Sequence, residues 1–377
     1  MAYYIGLMSG TSVDAIDAVL CSIDDTSTPS IQLLHSKSLS FPNAIQQQIH
    51  SISQSEYTHD PIEEMALLDR ELGELFAEAV DELLKDSELS KEQITAIGSH
   101  GQTIRHRPEA YHPFTIQIGN PHSIAARTGI TTVADFRTRD MVYGGQGAPL
   151  VPAFHQAILH DPEQDRVVVN LGGIANITFL PKQGEVIGYD TGPANTLMDQ
   201  WIALHQNKNY DHNGNWAEQG SVLPELLKAL KEEPYFAMPY PKSTGREYFN
   251  LNWLKQFSLD NIDPKDVQAT LLELTAQTVS EAIQQHTQAG KVILCGGGAY
   301  NSVLQQSLKR NLSDFEVETS QEFGVAPDWI EAMAFAWLAH RCLNNLSGNL
   351  PAVTGAKQET ILGAIYPAYK PRHKKCQ

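Results

Sequence analysis

Short apolar runs broken by glycine and polar turns open the chain, and a rhythm of three and four residues takes over farther on. YYIGLM and AIDAVLCSI predict two strands and IQLLHSKSLSF a third, an antiparallel meander joined by the SGTS turn and the polar loop DDTSTPS. From about Pro61 through Lys85 the apolar positions recur at helical spacing. TAIGSHGQTI then reads as a buried strand ending at a glycine-bounded turn.

A second pass begins near Arg166. RVVVNLGGIANITFL predicts a strand, a Gly-Gly turn and a returning strand, and EVIGYDTGPAN a third strand that ends at Asp190. Helical patterns follow in PANTLMDQWIALHQ and DVQATLLELTAQTVSEAIQQHT, and KVILCGGGAYN adds another strand and turn. The order of elements repeats the opening, which predicts two like-built α/β lobes with a cleft between them. GGQGAPLVPAFHQAIL, near residues 144 to 160, suits a connector, so the expected lobes are 1–160 and 161–377. A late helix from about residue 328, PDWIEAMAFAWLAHRCLNNL, is apolar on nearly every side. Such a helix is buried, and with the tail it is free to pack back on the first lobe.

Composition sharpens this picture. A chain of 377 residues that is 42% hydrophobic and 19% charged is a folded globular protein, long enough for two cores. A formal net charge of -17 repels phosphate backbones and anionic lipid, which argues against nucleic acid or a membrane as partner while leaving room for a small anion at a local site. The four cysteines lie far apart, with no CxxC pair, as in a reducing compartment. Without a signal-like start or an apolar run long enough to span a bilayer, the expected location is the cytoplasm.

Three glycine turns carry the candidate chemistry. Ser9, Gly10, Thr11 and Ser12 can point backbone N–H groups and hydroxyls into one concavity fit for a phosphate, or can simply cap a hairpin. Asp14 and Asp17 lie three apart on an extended strand and face opposite sides, so Asp14, nearer the turn, is the one expected to reach a phosphate-bound Mg²⁺. Gly172 and Gly173 stand at the matching turn of the second lobe, and Gly296, Gly297 and Gly298, followed by Asn301, can pass beneath a base or ribose. Together they predict a nucleotide in the cleft. No GxxxxGK[ST] occurs, and GGGAYN lacks the third glycine of a dinucleotide fingerprint.

Asp190, before Thr191-Gly192-Pro193, is either a general base beside the transferred phosphate or a helix N-cap. Further polar candidates are Ser99, His100, Gln102 and Arg105 in SHGQTIRH, and Asp135, Arg137, Arg139 and Asp140 in ADFRTRD. Glu331, an acid among Trp, Ile, Met and Phe, needs a partner or a ligand, or else serves the helix dipole. His100 and His106 have no third ligand at metal-binding spacing.

The opening motif together with IGSHGQTIRH, IGNP, VADFRTRD, GGQGAPLVPAFH, NLGGIANIT, GYDTGPANTLMD, KSTGREYFN, QATLLELTA, CGGGAYN and EAMAFAWLAHR resembles the bacterial anhydro-N-acetylmuramic acid kinase family over nearly the whole chain. The resemblance implies duplicated actin-like (ribonuclease H-like) lobes with mixed sheets, as in sugar kinases, heat-shock ATPases and actin. It implies the conversion of 1,6-anhydro-N-acetylmuramic acid, ATP and water into N-acetylmuramic acid 6-phosphate and ADP during peptidoglycan recycling. On the same basis Asp190 activates the water, and Gly10, Thr11, Ser12, Val13, Asp14, Ala15, Ile16 and Asp17 form the ATP phosphate turn. Arg137, Glu331 and His100 contact the sugar, and Mg²⁺ accompanies ATP. A homodimer is the expected assembly, in place of ATP-dependent polymers. Asn170 stands where many sugar kinases have an aspartate. Two other classes compete: a kinase for a different hexose, in which Asp190 deprotonates a substrate hydroxyl, and an actin-like or heat-shock-like ATPase that changes shape without sugar chemistry.

Overall fold

The computed structural model describes residues 1–10, 13–24, 30–56 and 59–369. The chain divides into two compact units, one of Met1–Ile158 together with the chain from Glu331 onward, the other of Leu159–Ile330. The second unit is thus one uninterrupted stretch set into the first. The sequence reading puts 331–377 in the second lobe with leave to pack back, and here that stretch groups with the first unit.

The strands of the first unit are β1 (Ala2–Ser9), β2 (Ala15–Asp24), β3 (Ser30–Ser40), β4 (Ile94–Arg107), β5 (Phe114–Ile118) and β6 (Thr132–Ala134). Those of the second are β7 (Arg166–Leu171), β8 (Ile174–Leu180), β9 (Ile187–Pro193), β10 (Gly290–Cys295) and β11 (Phe315–Thr319), and β12 (Ala364–Tyr366) returns to the first. One sheet runs β3-β2-β1-β4-β6 and continues to β12, with β5 paired to the far half of β4; the other runs β9-β8-β7-β10-β11. In each, three antiparallel strands are followed by two parallel ones. The repeat is one of topology, with very little residue identity behind it.

Helix Pro61–Lys85 occupies the range its periodicity predicts. Asp60 caps it by accepting from the Ile62 N–H at 2.9 Å, Pro61 fills a first-turn position, and Leu68, Leu72, Phe76, Val80 and Leu83 face inward. They meet Ile5, Leu7, Ile16 and Leu20 of the sheet in the core of the first unit. On the opposite face of β1 and β4, Gly6 and Gly98 lie side by side. A Cβ on Gly6 would sit 1.9 Å from the Ala332 carbonyl oxygen, and one on Gly98 2.0 Å from that of Phe335. Only glycine leaves room for the backbone of helix Ile330–Leu343, whose Ala332 through Ala336, Leu338 and Ala339 are all buried.

The second unit is built round helix Pro264–Gln284, which Asp263 caps and whose buried face meets Val169, Leu171, Ile177 and Leu294. One local reading is corrected here. The third strand of this meander does not stop at Asp190 but runs to Pro193, and the next helix starts at Asn195, not at the proline. β9 lies at the sheet edge, where a residue without an N–H costs no ladder bond.

Candidate active site

In the first unit the parallel strands β1, β4 and β6 present their C-terminal ends to one edge. β1 stops at Ser9, whose hydroxyl donates to Gln102 Oε1 of β4 at 2.6 Å. Gly10 follows, its carbonyl accepting from the Val13 N–H at 3.2 Å, and Val13 takes φ 57, a left-handed conformation that β-branched residues avoid. Thr11 and Ser12 lie outside the described residues. Val13 and Ile16 are in the core, so they offer a ligand backbone alone, and Ala15 begins β2. Asp17 accepts from the Ser38 hydroxyl at 2.9 Å, whereas Asp14 is exposed, with the Ala15 N–H on its Oδ1 at 3.1 Å.

At the same edge the fold brings His100, Arg137 and Glu331 together. Arg137 donates through Nε and Nη2 to His100 Nε2, at 3.1 and 2.9 Å, and through Nη1 to the Gly147 carbonyl at 2.8 Å. His100 therefore carries its proton on Nδ1, which donates to the Gly101 carbonyl at 2.9 Å, and the ring leans on Phe335. Burial first, and the guanidinium second, hold His100 well below its usual pKa. Burial brings Arg137 down to about 10 while Glu331 and Asp140 favour its charge. Both ring nitrogens of His100 thus have protein partners, one of them Arg137.

Asp140 is the buried hub beneath this group. Its carboxylate accepts from the Gly147 N–H (2.8 Å), Asn349 Nδ2 (2.8 Å) and the Thr354 hydroxyl (2.7 Å), tying the GGQG loop to the C-terminal segment. Asp140→Ala removes one acceptor from three buried donors, and unfolding free energy is expected to fall by roughly 3 kcal/mol or more, measured by urea denaturation. Beside the group lies a cavity of ≈ 300 Å³ lined in part by Ser99, Gln117, Asp135, Thr138 and Tyr366. The Ser99 hydroxyl is buried without a hydrogen-bond partner, and Asp135 holds φ 57.

In the second unit the turn after β7 is Gly172-Gly173. Its carbonyls accept the N–H groups of Ala194, Asn195 and Thr196, each at 3.0 Å, so the amides at the start of helix Asn195–Gln206 are already in use. The β10 turn lies directly on this one: a Cβ on Gly296 would meet Asn170 Oδ1 at 2.3 Å, and one on Gly298 the Leu171 Cβ at 2.7 Å. Gly297 differs, with no protein atom within 4 Å of such a Cβ. The Asn301 side chain is a helix cap, its Oδ1 accepting from the Leu304 N–H at 3.0 Å, while its backbone N–H donates to the Gly298 carbonyl at 3.0 Å and its carbonyl accepts from the Gln305 N–H at 2.9 Å.

Asp190 sits on β9 beside a bulge, where the pairing shifts between Ala175 opposite Gly192 and Asn176 opposite Asp190. It caps no helix. The Thr244 N–H donates to its Oδ2 at 3.0 Å, its own N–H donates to the Lys242 carbonyl at 3.2 Å, and the Tyr235 hydroxyl donates to its carbonyl at 2.8 Å. Burial raises its carboxyl from an ordinary 3.8 to about 6, with Glu247 adding to the rise and the Thr244 N–H opposing it. The clamp from Tyr235 to Glu247 was missed from sequence patterns; its one visible signal was the polar, glycine-containing KSTGRE run after Pro241.

Two copies of one strand order, each turning at glycine directly after its first strand, define the duplicated ribonuclease H-like architecture of actin-like kinases and ATPases. The family model described as anhydro-N-acetylmuramic acid kinase matches residues 2–368, and the chain belongs to that family. The anhydro-N-acetylmuramic acid kinase of Pasteurella multocida (strain Pm70) is 51% identical over 372 residues, 98% of this chain and 97% of that protein. That of Coxiella burnetii (strain Dugway 5J108-111) is 51% identical over 367 residues, 96% of this chain and 97% of that protein. Among solved structures, component A of the Acidaminococcus fermentans (R)-2-hydroxyglutaryl-CoA dehydratase is 13% identical with a TM-score of 0.47, over 89% of this chain and 96% of that one.

Proposed function

We propose that the protein uses ATP and water to open 1,6-anhydro-N-acetylmuramic acid and phosphorylate O6, giving N-acetylmuramic acid 6-phosphate and ADP in the recycling of peptidoglycan. The observation that carries this reading is the Asp190 carboxylate, clamped on a bulged edge strand and raised to about 6, within a chain of this family. A carboxyl of that pKa is a base poised just below neutral pH.

Asp190 takes a proton from water, and the water oxygen bonds to the anomeric carbon as the bond from that carbon to O6 breaks. The electron pair released on O6 forms the bond to the γ-phosphorus, and the bridging oxygen leaves with ADP. Holding O6 ready for the phosphorus makes the leaving group of the first event the nucleophile of the second, and positioning of this kind is worth ~7 to 11 kcal/mol. Arg137, with Glu331 and His100 fixing its charge and direction, holds the sugar. Gln117, Asp135 and Thr138 line the adjoining cavity with groups of the kind that meet sugar hydroxyls. Gly10 through Asp17, Gly172, Gly173, Gly296 to Gly298 and Asn301 form the ATP side of the proposed site.

Mg²⁺ is part of the proposal. Among the described residues no three His, Cys, Asp or Glu side chains gather as a metal cage, which suits an ion bound by one carboxylate and the nucleotide's own oxygens. Asp14, an exposed hard oxygen donor beside the first glycine turn, would hold it; the ion supplies charge neutralisation on the phosphates. The cytoplasm is the proposed location. Among the described residues no helix is long and apolar enough to cross a membrane. A homodimer is proposed as well, to be read as twice the chain mass in sedimentation.

The test is a product assay with ATP, Mg²⁺ and the anhydro sugar in ¹⁸O water, read before mutarotation exchanges the label. Label at the anomeric oxygen is expected. Phosphorylated sugar without label would instead make the enzyme a direct hydroxyl kinase, and absence of any product would end the reading. Because the base works ionised, kcat/KM is expected to fall tenfold per pH unit below about 6 and to level off above it, as a pH–rate profile will record.

A further inference from the structure

The loop that clamps Asp190 also reaches the glycine turn. Two residues after Thr244, Arg246 lays its guanidinium over Gly173: Nε, Nη2 and Cζ stand 2.9, 3.0 and 3.4 Å from where a Cβ on that glycine would be. The bare Gly173 backbone thus lies directly against the guanidinium. Arg246 is itself exposed, with Asp199 of helix Asn195–Gln206 near enough for its positive charge to favour that carboxylate against burial. One short segment thus places a cation against the Gly172-Gly173 turn and a hydrogen bond on the proposed base, so the two are set in register by the same piece of chain.

We infer that Arg246 is a catalytic residue that binds the terminal phosphate of ATP at the Gly172-Gly173 turn and neutralises the phosphoryl group as it passes to the sugar oxygen. The inference rests on the function proposed above and adds to it. In the transfer the bond from phosphorus to the bridging oxygen breaks, its electron pair leaving with ADP, while the bond from O6 to phosphorus forms. Negative charge is spread over three equatorial oxygens throughout, and a planar guanidinium presents two parallel N–H donors to two of them. In a chain of net charge -17 that charge has to be met by a local cation. The amides of residues 194 to 196 do not share in it, since they are spent on the carbonyls of the turn.

The experiment compares the full-length wild type with Arg246→Ala and Arg246→Lys. Arg246→Ala is expected to lower kcat about 10³-fold with the KM for the sugar within twofold. Millimolar guanidinium chloride should restore part of the rate to Arg246→Ala and leave the wild type unchanged, a readout that a merely structural arginine would not give. Calorimetry with a non-hydrolysable ATP analogue should show at least fivefold weaker binding to Arg246→Ala, with ADP binding unchanged. Arg246→Lys, which keeps the charge and loses the fork, should fall between the two. A kcat within threefold of wild type, or equal loss of analogue and ADP binding, overturns the inference. If the wild type fails to turn over the anhydro sugar, the proposed function fails by itself, and the analogue-against-ADP comparison still decides the arginine.

Discussion

Asp190→Asn is expected to lower turnover by orders of magnitude and, at pH 8, to make the protein harder to unfold. Asparagine keeps the Thr244 N–H satisfied through its carbonyl oxygen and cannot take a proton from water. A general base contributes 10²–10⁴-fold in typical cases, so the rate should drop by about that factor with nucleotide binding little changed. The stability change follows from the same burial that raises the carboxyl. At pH 8 Asp190 is ionised in both folded and unfolded chains, and the shift from 3.8 to about 6 costs the fold up to about 3 kcal/mol. Below the unfolded value the group is protonated in both states and costs nothing, so the penalty grows between about pH 4 and pH 6 and is constant above. The variant's advantage in urea denaturation should therefore be largest at pH 8 and shrink toward pH 4.5. A variant no more stable than wild type at pH 8 would mean that the carboxylate is well solvated; near-normal turnover would remove it from the reaction.

Gly98→Ala is expected to do more damage than its single methyl group suggests. The new Cβ would stand 2.0 Å from the Phe335 carbonyl oxygen and 2.8 Å from its carbon, and both belong to helix backbone that cannot rotate away. The helix must lift from the sheet, opening the packing of Met333, Phe335 and Ala336, so a loss of roughly 3 kcal/mol or more is expected in denaturant titration. Glu331 lies one turn before Phe335 and would move with it, so the KM for the sugar should rise among molecules that still fold. Gly297→Ala is the control for stability: nothing in the protein stands within 4 Å of its Cβ and its φ is not positive, so its unfolding free energy should match wild type.

Much of the fold was legible because local pattern and final structure agree. The meander, the helix from Pro61 to Lys85 and the strand before CGGGAYN each carry their own period, caps and breaks. The duplication was legible as an order of elements. Arg137 and Glu331 stood out because polar residues in apolar or glycine-rich settings need a reason, and in the first unit the structure does bring Arg137, Glu331 and His100 together. What stayed hidden depends on partners far away in sequence. Nothing near Gly6 or Gly98 says that a helix more than 200 residues later will rest on them. Likewise Pro193 looks like a helix start until β9 is known to be an edge strand, and Asp140 is one of four polar candidates in ADFRTRD until Asn349 and Thr354 arrive. The clamp on Asp190 is contributed by residues 235 to 247, a stretch whose apolar pattern marks nothing.

That the chain leaves the first unit at Ile158 and comes back at Glu331 has a consequence for synthesis on the ribosome. Leu159–Ile330 is contiguous and can complete its own core as soon as it has emerged. The earlier-made residues cannot: the groove over Gly6 and Gly98 stays wet until the last tenth or so of the polypeptide is delivered. The nascent amino-terminal part must therefore wait, partly uncovered, for its final helix, and it is in this interval that a holding chaperone would find the chain.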